Sequence, residues 1–148
     1  MGWSGYGLYD GDGTQTCHYE YIKAANISKD LDEIASFMKF RKTVIPKDKT
    51  QLLIDNYEKI MKKMSKKKFF DEDSAIEWQM LLSLYLDNNL PVPANVKSRG
   101  ISATKYLLSD HSDRFKEPFR RRRVLNNFLK KAMKAKVLKW NIALSIGL

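Results

Sequence analysis

A run of basic residues in the last fifth of the chain has the clearest binding chemistry in the sequence. Its members are Arg120, Arg121, Arg122, Arg123, Lys130, Lys131 and Lys134. Guanidinium forks match phosphate oxygens, and several such contacts give an affinity that depends strongly on salt and little on base sequence. Four successive helical residues fan through about 300°, so the four arginines cannot all face one partner. The pattern predicts an anion-binding face; the alternative is a helix face that contacts only solvent.

Two aspartates near the N-terminus suggest a second kind of chemistry. The segment Asp10-Gly11-Asp12-Gly13-Thr14 resembles the D-x-D-x-T opening of haloacid-dehalogenase-type phosphatases, in which one Asp attacks phosphorus and the next handles the leaving-group proton. That fold needs an apolar strand before the motif and alternating strands and helices, and neither pattern is present. We therefore expect a glycine-rich turn without catalytic residues; an enzyme that uses Asp10 and Asp12 is the alternative.

The remaining reactive residues do not form a recognisable catalytic or metal-binding set. Cys17 and His18 are adjacent, so their side chains point in different directions and cannot act as a nucleophile and its base. One Cys and two His are too few soft ligands for structural zinc. Asp71, Asp73 and Glu77 could hold magnesium, but a capping role at a helix start explains them more simply. We expect no metal and no cofactor.

The first twelve residues are rich in glycine and aromatic side chains. Their pattern of Gly2, Gly5, Gly7, Tyr9 and Asp12 resembles the opening of small bacterial and phage proteins of unknown function. The resemblance covers about a tenth of the chain and implies a microbial or viral setting, with no reaction attached. Trp and Tyr are favoured interface anchors, so this segment also predicts a protein interface. Its residues would be Trp3, Tyr6 and Tyr9.

Composition and charge narrow the class of protein. The chain has 148 residues, of which 43% are hydrophobic and 30% charged, as expected for one globular domain of residues 1–148. A single cysteine and the absence of a secretory-type opening predict a cytoplasmic protein, in a host cell if it is phage-encoded. No apolar run reaches the roughly 20 residues of a transmembrane helix.

The net charge of +10 is unevenly distributed. Residues 1–113 hold 16 Lys or Arg and 16 Asp or Glu, whereas residues 114–148 hold 11 Lys or Arg and one Glu. We therefore divide the chain into an N-terminal cap (1–27), a neutral helical body (28–113) and a basic C-terminal helix and tail (114–148). A local excess of this kind favours a polyanionic or acidic partner.

Hydrophobic periodicity predicts a mainly α protein, an antiparallel bundle of about five helices after an irregular N-terminal segment. We predict turns with at most one short strand through residue 21, and then helices near 28–38, 46–64, 74–87, 94–108 and 118–139. The third is the most apolar and should be central. In the last, the stripe of Val124, Leu125, Phe128, Leu129, Ala132 and Met133 should be buried. The basic amphipathic end could lie on an anionic membrane, but docking onto its own domain is favoured.

Three functional hypotheses follow. The leading one is a non-catalytic protein that binds nucleic acid or a nucleoprotein complex through its basic C-terminal helix. The second is a phage-type interaction protein that inhibits a host enzyme or defence complex by protein contact. The third is a phosphatase-like or metal-dependent enzyme.

Overall fold

A computed structural model of the protein describes residues 13–39, 42–111 and 118–139. This part of the chain is mainly helical, as predicted. Its seven α-helices are α1 (Thr14–Ala24), α2 (Leu31–Phe37), α3 (Leu52–Asp55), α4 (Tyr57–Met61), α5 (Glu72–Asp87), α6 (Ala94–Tyr106) and α7 (Pro118–Met133). Two-residue strands β1 (Met38–Lys39) and β2 (Lys42–Thr43) pair antiparallel. A π-helical turn, Leu107–His111, follows α6.

Helix α5 is the centre of the fold, as its apolar sequence predicted. Thirteen of its sixteen residues are buried. Asp71 caps it: its carboxylate accepts a hydrogen bond from the Ser74 amide, and the Ser74 hydroxyl accepts one from the Asp71 amide. This reciprocal pair satisfies two amides that the first turn leaves open. The other six helices contribute to one continuous apolar cluster around α5.

The prediction of turns through residue 21 is wrong beyond residue 13, because Thr14–Ala24 is a helix. Gly13 precedes it with φ of 85°, a left-handed conformation that glycine adopts without strain. The buried face of α1 consists of Thr14, His18, Tyr21 and Ile22. Two of these side chains are polar. The buried positions therefore have helical spacing, but they lack the hydrophobicity by which a buried helix face is recognised in a sequence.

The single helix predicted over 46–64 is instead two short helices, α3 and α4, with a break at Asn56. The Asn56 amide group donates a 2.7 Å hydrogen bond to the carbonyl of Ala25, just after α1. Leu53 and Ile60 still reach the core on either side of the break. A tertiary contact thus interrupts a pattern that is helical in sequence.

The most extensive helix packing is between α5 and α6, and Gly100 permits it. A Cβ atom at Gly100 would lie 2.5 Å from Leu82 Cδ2 and 2.7 Å from Leu82 Cβ. Glycine inside a helix costs about 1 kcal/mol relative to alanine, and here the close approach of the two helices requires it.

We predict that Gly100→Ala lowers the free energy of unfolding by about 1–2 kcal/mol, because the overlap with Leu82 outweighs the gain in helix propensity. Urea denaturation measures the change. Ser98→Ala, at an exposed position of the same helix, is the matched control and should change stability by less than about 0.5 kcal/mol. A Gly100→Ala protein as stable as the wild type would contradict the close packing.

Candidate nucleic-acid interface

One face of α7 is directed into the core, and it includes an arginine. Arg121, Leu125 and Ala132 are fully buried and recur at the spacing of one helix face. The assignment of Arg121 to the binding face is therefore wrong. Successive residues of a helix point in different directions, so Arg121 points into the core while Arg120 and Arg122 are exposed. Met133, predicted in the buried stripe, is 59% exposed. Val124, Phe128 and Leu129 are half-buried.

The other predicted cations of this region are all exposed. They are Arg120, Arg122, Arg123, Lys130, Lys131 and Lys134, and Lys136 and Lys139 join them after the helix. We call these eight residues the basic helix face. Residues 118–139 contain nine Lys or Arg and no Asp or Glu, so the segment has a large excess of positive charge.

The outermost line of α7 combines charge, amide and aromatic groups. Phe119, Arg123 and Lys130 follow each other at intervals of four and seven residues, which places them on one side of the helix. The Arg123 guanidinium lies 5.9 Å from the centre of the Phe119 ring, which is itself 59% exposed. Asn126 and Asn127 are exposed between the two cations. Each group on this line can contact a phosphate, a sugar or a base.

The chain after α7 is docked, and the prediction of a helix to Lys139 is wrong beyond Met133. Val92 donates a 2.8 Å hydrogen bond to the Lys136 carbonyl and accepts one of 2.7 Å from the Leu138 amide. The Lys97 ammonium donates to the carbonyls of Met133 and Ala135, at 3.2 and 2.7 Å. These contacts replace further helical hydrogen bonds and confirm the predicted docking up to residue 139.

Because Arg121 is buried, its replacement should affect stability instead of binding. We expect Arg121→Ala to lower the free energy of unfolding by about 2–4 kcal/mol, as for other truncations of large buried side chains. Arg122→Ala, one position along on the exposed face, should cost less than about 0.5 kcal/mol. Thermal unfolding of both variants measures the difference, and equal stability of the two would contradict the assignment of Arg121 to the core.

A second basic surface lies in the segment that the sequence analysis treated as neutral. Residues 59–68 contain six lysines and no acidic residue, and residues 71–77 contain four acidic residues. In a sum over the body the four acidic residues offset four of the six lysines, so the charge partition does not reveal the local excess. Counting charge in ten-residue windows would have revealed it. We call residues 65–70, with Lys66, Lys67 and Lys68, the lysine loop.

The lysine loop borders a cleft of about 430 Å³. Met61, Met64 and Trp78 supply apolar surface to this cleft, and Asn95 and Arg99 line it from α6. The Lys67 ammonium pairs with the Asp71 carboxylate. This contact and the hydrogen bonds from Ser74 hold the pKa of Asp71 well below its usual range. Asp71 therefore stays ionised and partly offsets the positive charge of Lys67.

The capping interpretation of Asp71 is confirmed, and in the described ranges no three His, Cys, Asp or Glu side chains cluster to hold a metal ion. Glu77 is half-buried and its pKa is raised, mainly by desolvation. Trp3, Tyr6, Tyr9, Asp10 and Asp12 lie outside the described residues. Between residues 13 and 139 the only strands described are β1 and β2, whereas the phosphatase fold uses alternating strands and helices.

Cys17 and His18 have separate surroundings, as their adjacency predicted. Burial raises the pKa of the Cys17 thiol to about 11, so the nucleophilic thiolate is scarce at neutral pH. The His18 ring is fully buried and hydrogen-bonded at both nitrogens: Nε2 donates to the Met80 carbonyl at 2.9 Å, and Nδ1 accepts from the Thr43 hydroxyl at 2.7 Å. His18 is therefore part of the packed interior between α1 and α5, and Cys17 is half-buried against the core.

Comparison with known proteins finds no matching family model, curated protein or solved structure. The resemblance of the first twelve residues to small bacterial and phage proteins stays a prediction. Among the described helices, none combines the length and apolar character needed to cross a membrane.

Proposed function

We propose that this protein is a non-catalytic nucleic-acid-binding protein and that its basic helix face contacts the phosphate backbone. One observation carries the proposal: eight exposed cations lie on a segment that contains no carboxylate side chain. In the rest of the described chain, Lys49 pairs with Glu33 and Lys67 pairs with Asp71. A surface of one sign attracts a polyanion over a distance of about one Debye length.

The length of α7 favours an extended polyanion over a small anion. Sixteen helical residues span about 24 Å, along which a duplex carries roughly fourteen phosphate charges. A single phosphate could engage only two or three of the eight cations. Arg122 and Arg123 offer planar forks for phosphate oxygens, and the lysines act as point charges.

Contacts with phosphates predict an affinity that depends strongly on the salt concentration and weakly on the nucleotide sequence. A fluorescence anisotropy titration with mixed-sequence DNA and RNA, single- and double-stranded, at several salt concentrations tests the proposal. We expect affinity to fall linearly with salt on logarithmic axes. Undetectable binding to every nucleic acid at low salt would contradict it.

Protein contact with a host enzyme or defence complex is the second candidate, and the aromatic residues of the N-terminal segment favour it. Pull-down from a microbial lysate distinguishes it from the first. Loss of the partner on Trp3→Ala or Tyr6→Ala, with retention in an Arg122→Gln/Arg123→Gln variant, would assign binding to the N-terminal segment.

The enzymatic alternative has a separate test. If an Asp10→Asn/Asp12→Asn variant leaves every cellular phenotype of the wild type intact, an enzyme that uses those two residues is excluded.

A further inference from the structure

The lysine loop presents an aromatic ring to solvent among positive charges. Phe69 is 80% exposed, the highest value among the large apolar side chains that the structure describes as exposed. Lys66, Lys67 and Lys68 precede it, and the Lys68 ammonium lies 5.6 Å from the centre of its ring. An exposed aromatic ring leaves apolar surface in water, so this position offers surface that a ligand can cover.

The lysine loop is anchored from α6 through Lys67 and Phe70, which lie on either side of Phe69 in the sequence. The Arg99 guanidinium lies 4.5 Å from the centre of the Phe70 ring and 5.0 Å from that of Trp78, a geometry in which a cation is attracted to both rings. Arg99 also donates a 3.1 Å hydrogen bond to the Lys67 carbonyl. Phe70 is thereby packed inward, and the adjacent Phe69 is left exposed directly after Lys66, Lys67 and Lys68, which line the cleft.

We propose that the lysine loop and its cleft bind single-stranded nucleic acid, with an unpaired base stacked on Phe69 and phosphates contacted by Lys66 and Lys68. This inference rests on the proposed function and specifies its substrate. An aromatic platform within a basic surface is the arrangement by which proteins hold single strands without sequence preference. In a duplex the base faces are already stacked on each other, so Phe69 would have no base to cover. The cleft lined by the three lysines that precede Phe69 also has apolar surface from Met64 and Trp78, and it can receive a neighbouring base.

The lysine loop and the basic helix face form two sites on opposite sides of α6. Arg99 is directed toward the cleft, whereas Lys97 is directed toward the end of α7, where it binds the Met133 carbonyl. Two residues along a helix differ by about 200° in direction, which is consistent with these contacts. The two sites can therefore be altered independently.

Substitutions at Phe69 test the stacking directly. We expect Phe69→Ala to weaken binding of a labelled 12-nucleotide oligothymidine by about 5-fold to 100-fold, the loss expected for one stacked base. The salt dependence should stay unchanged, because no charge is removed. Phe69→Trp should bind like the wild type, and Phe69→Leu should bind like Phe69→Ala, because leucine is apolar but has no flat ring. Leu31→Ala, at a 59% exposed position on α2, is the control and should leave binding unchanged. Circular dichroism verifies that each variant is folded.

A duplex of the same length and an acidic peptide complete the experiment. Duplex binding should change less than twofold in Phe69→Ala. Wild-type affinity of Phe69→Ala for the single strand would overturn the inference and leave the proposed function intact. Wild-type binding by Phe69→Leu would replace base stacking with a general apolar contact and would likewise overturn it. Tighter binding of polyglutamate than of the oligonucleotide, lost in Phe69→Ala, would assign the loop to a protein partner.

Changes at α7 separate this inference from the proposed function. If neutralising the basic helix face leaves the affinity for the oligonucleotide unchanged while Phe69→Ala lowers that affinity, the proposed role of α7 is wrong and the proposed site at the lysine loop is supported. If the wild type binds no oligonucleotide at low salt, both fail.

Discussion

Replacing Arg123, Lys130, Lys131 and Lys134 together with glutamine should weaken nucleic-acid binding at least about 100-fold near 100 mM salt. All four side chains are exposed, and each neutralises about one phosphate when bound, with release of a counterion. Losing four such contacts should reduce the magnitude of the slope of log affinity against log salt by about 3.6, because each contributes about 0.9. Anisotropy titrations at four salt concentrations measure both quantities.

The same variant should remain folded. Exposed charges of this kind contribute little to stability, and Arg121, Leu125 and Ala132, which anchor α7 in the core, are unchanged. Its urea midpoint should lie close to that of the wild type. A folded variant whose salt slope equals that of the wild type would show that these residues do not contact phosphate.

Lowering the pH from 7 to 5 should cost the protein about 2 kcal/mol of stability through His18 alone. Desolvation by burial lowers the pKa of His18 from 6.5 to about 4, partly opposed by the hydrogen bond to the Met80 carbonyl. The unfolded chain takes up a proton near pH 6.5, whereas the folded chain does so only near pH 4. The contribution is therefore fully present above pH 6.5 and is lost as the pH falls toward 4.

Urea denaturation at pH 7 and pH 5 measures this dependence. In His18→Gln the loss between the two pH values should be smaller by about 2 kcal/mol, although the variant is less stable at pH 7 because buried hydrogen bonds are lost. His111→Gln removes the only other histidine and serves as the control. If wild type and His18→Gln lost equal stability between pH 7 and pH 5, the ring would not be buried in its neutral form.

Local sequence signals predicted the parts of the fold that depend on local interactions. Asp71 and Ser74 form a capping box, and the apolar run after them is the buried helix α5. The predictions failed where distant contacts decide the structure. Asn56 breaks a helical pattern by bonding to Ala25, and Val92 pairs with the chain after α7. In both cases the residues that form the hydrogen bond are far apart in the sequence.

The candidate site was only partly predictable from the sequence, because distant contacts also decide which side chains are buried. Charge partition located the basic helix face, but only the orientation of α7 shows that Arg121 is buried while Arg122 and Arg123 are exposed. From the sequence, His18 could be excluded as the base for Cys17, but it could not be identified as a buried side chain. Its hydrogen-bond partners Thr43 and Met80 come from other elements of the fold. The lysine loop was concealed by acidic residues a few positions away.

A charge-matched comparison tests whether the basic helix face contacts the phosphate backbone. One variant carries Arg123, Lys130, Lys131 and Lys134 as glutamine; the other carries Lys29, Lys39, Lys42 and Lys47 as glutamine, four exposed lysines on other elements. Both lose the same net charge, and both are titrated with one mixed-sequence oligonucleotide across the same salt series. We expect a large loss of affinity and a reduced salt slope in the first variant, with near-wild-type binding in the second. Equal losses in the two variants would show that net charge, and not this face, governs the interaction, and would contradict the account.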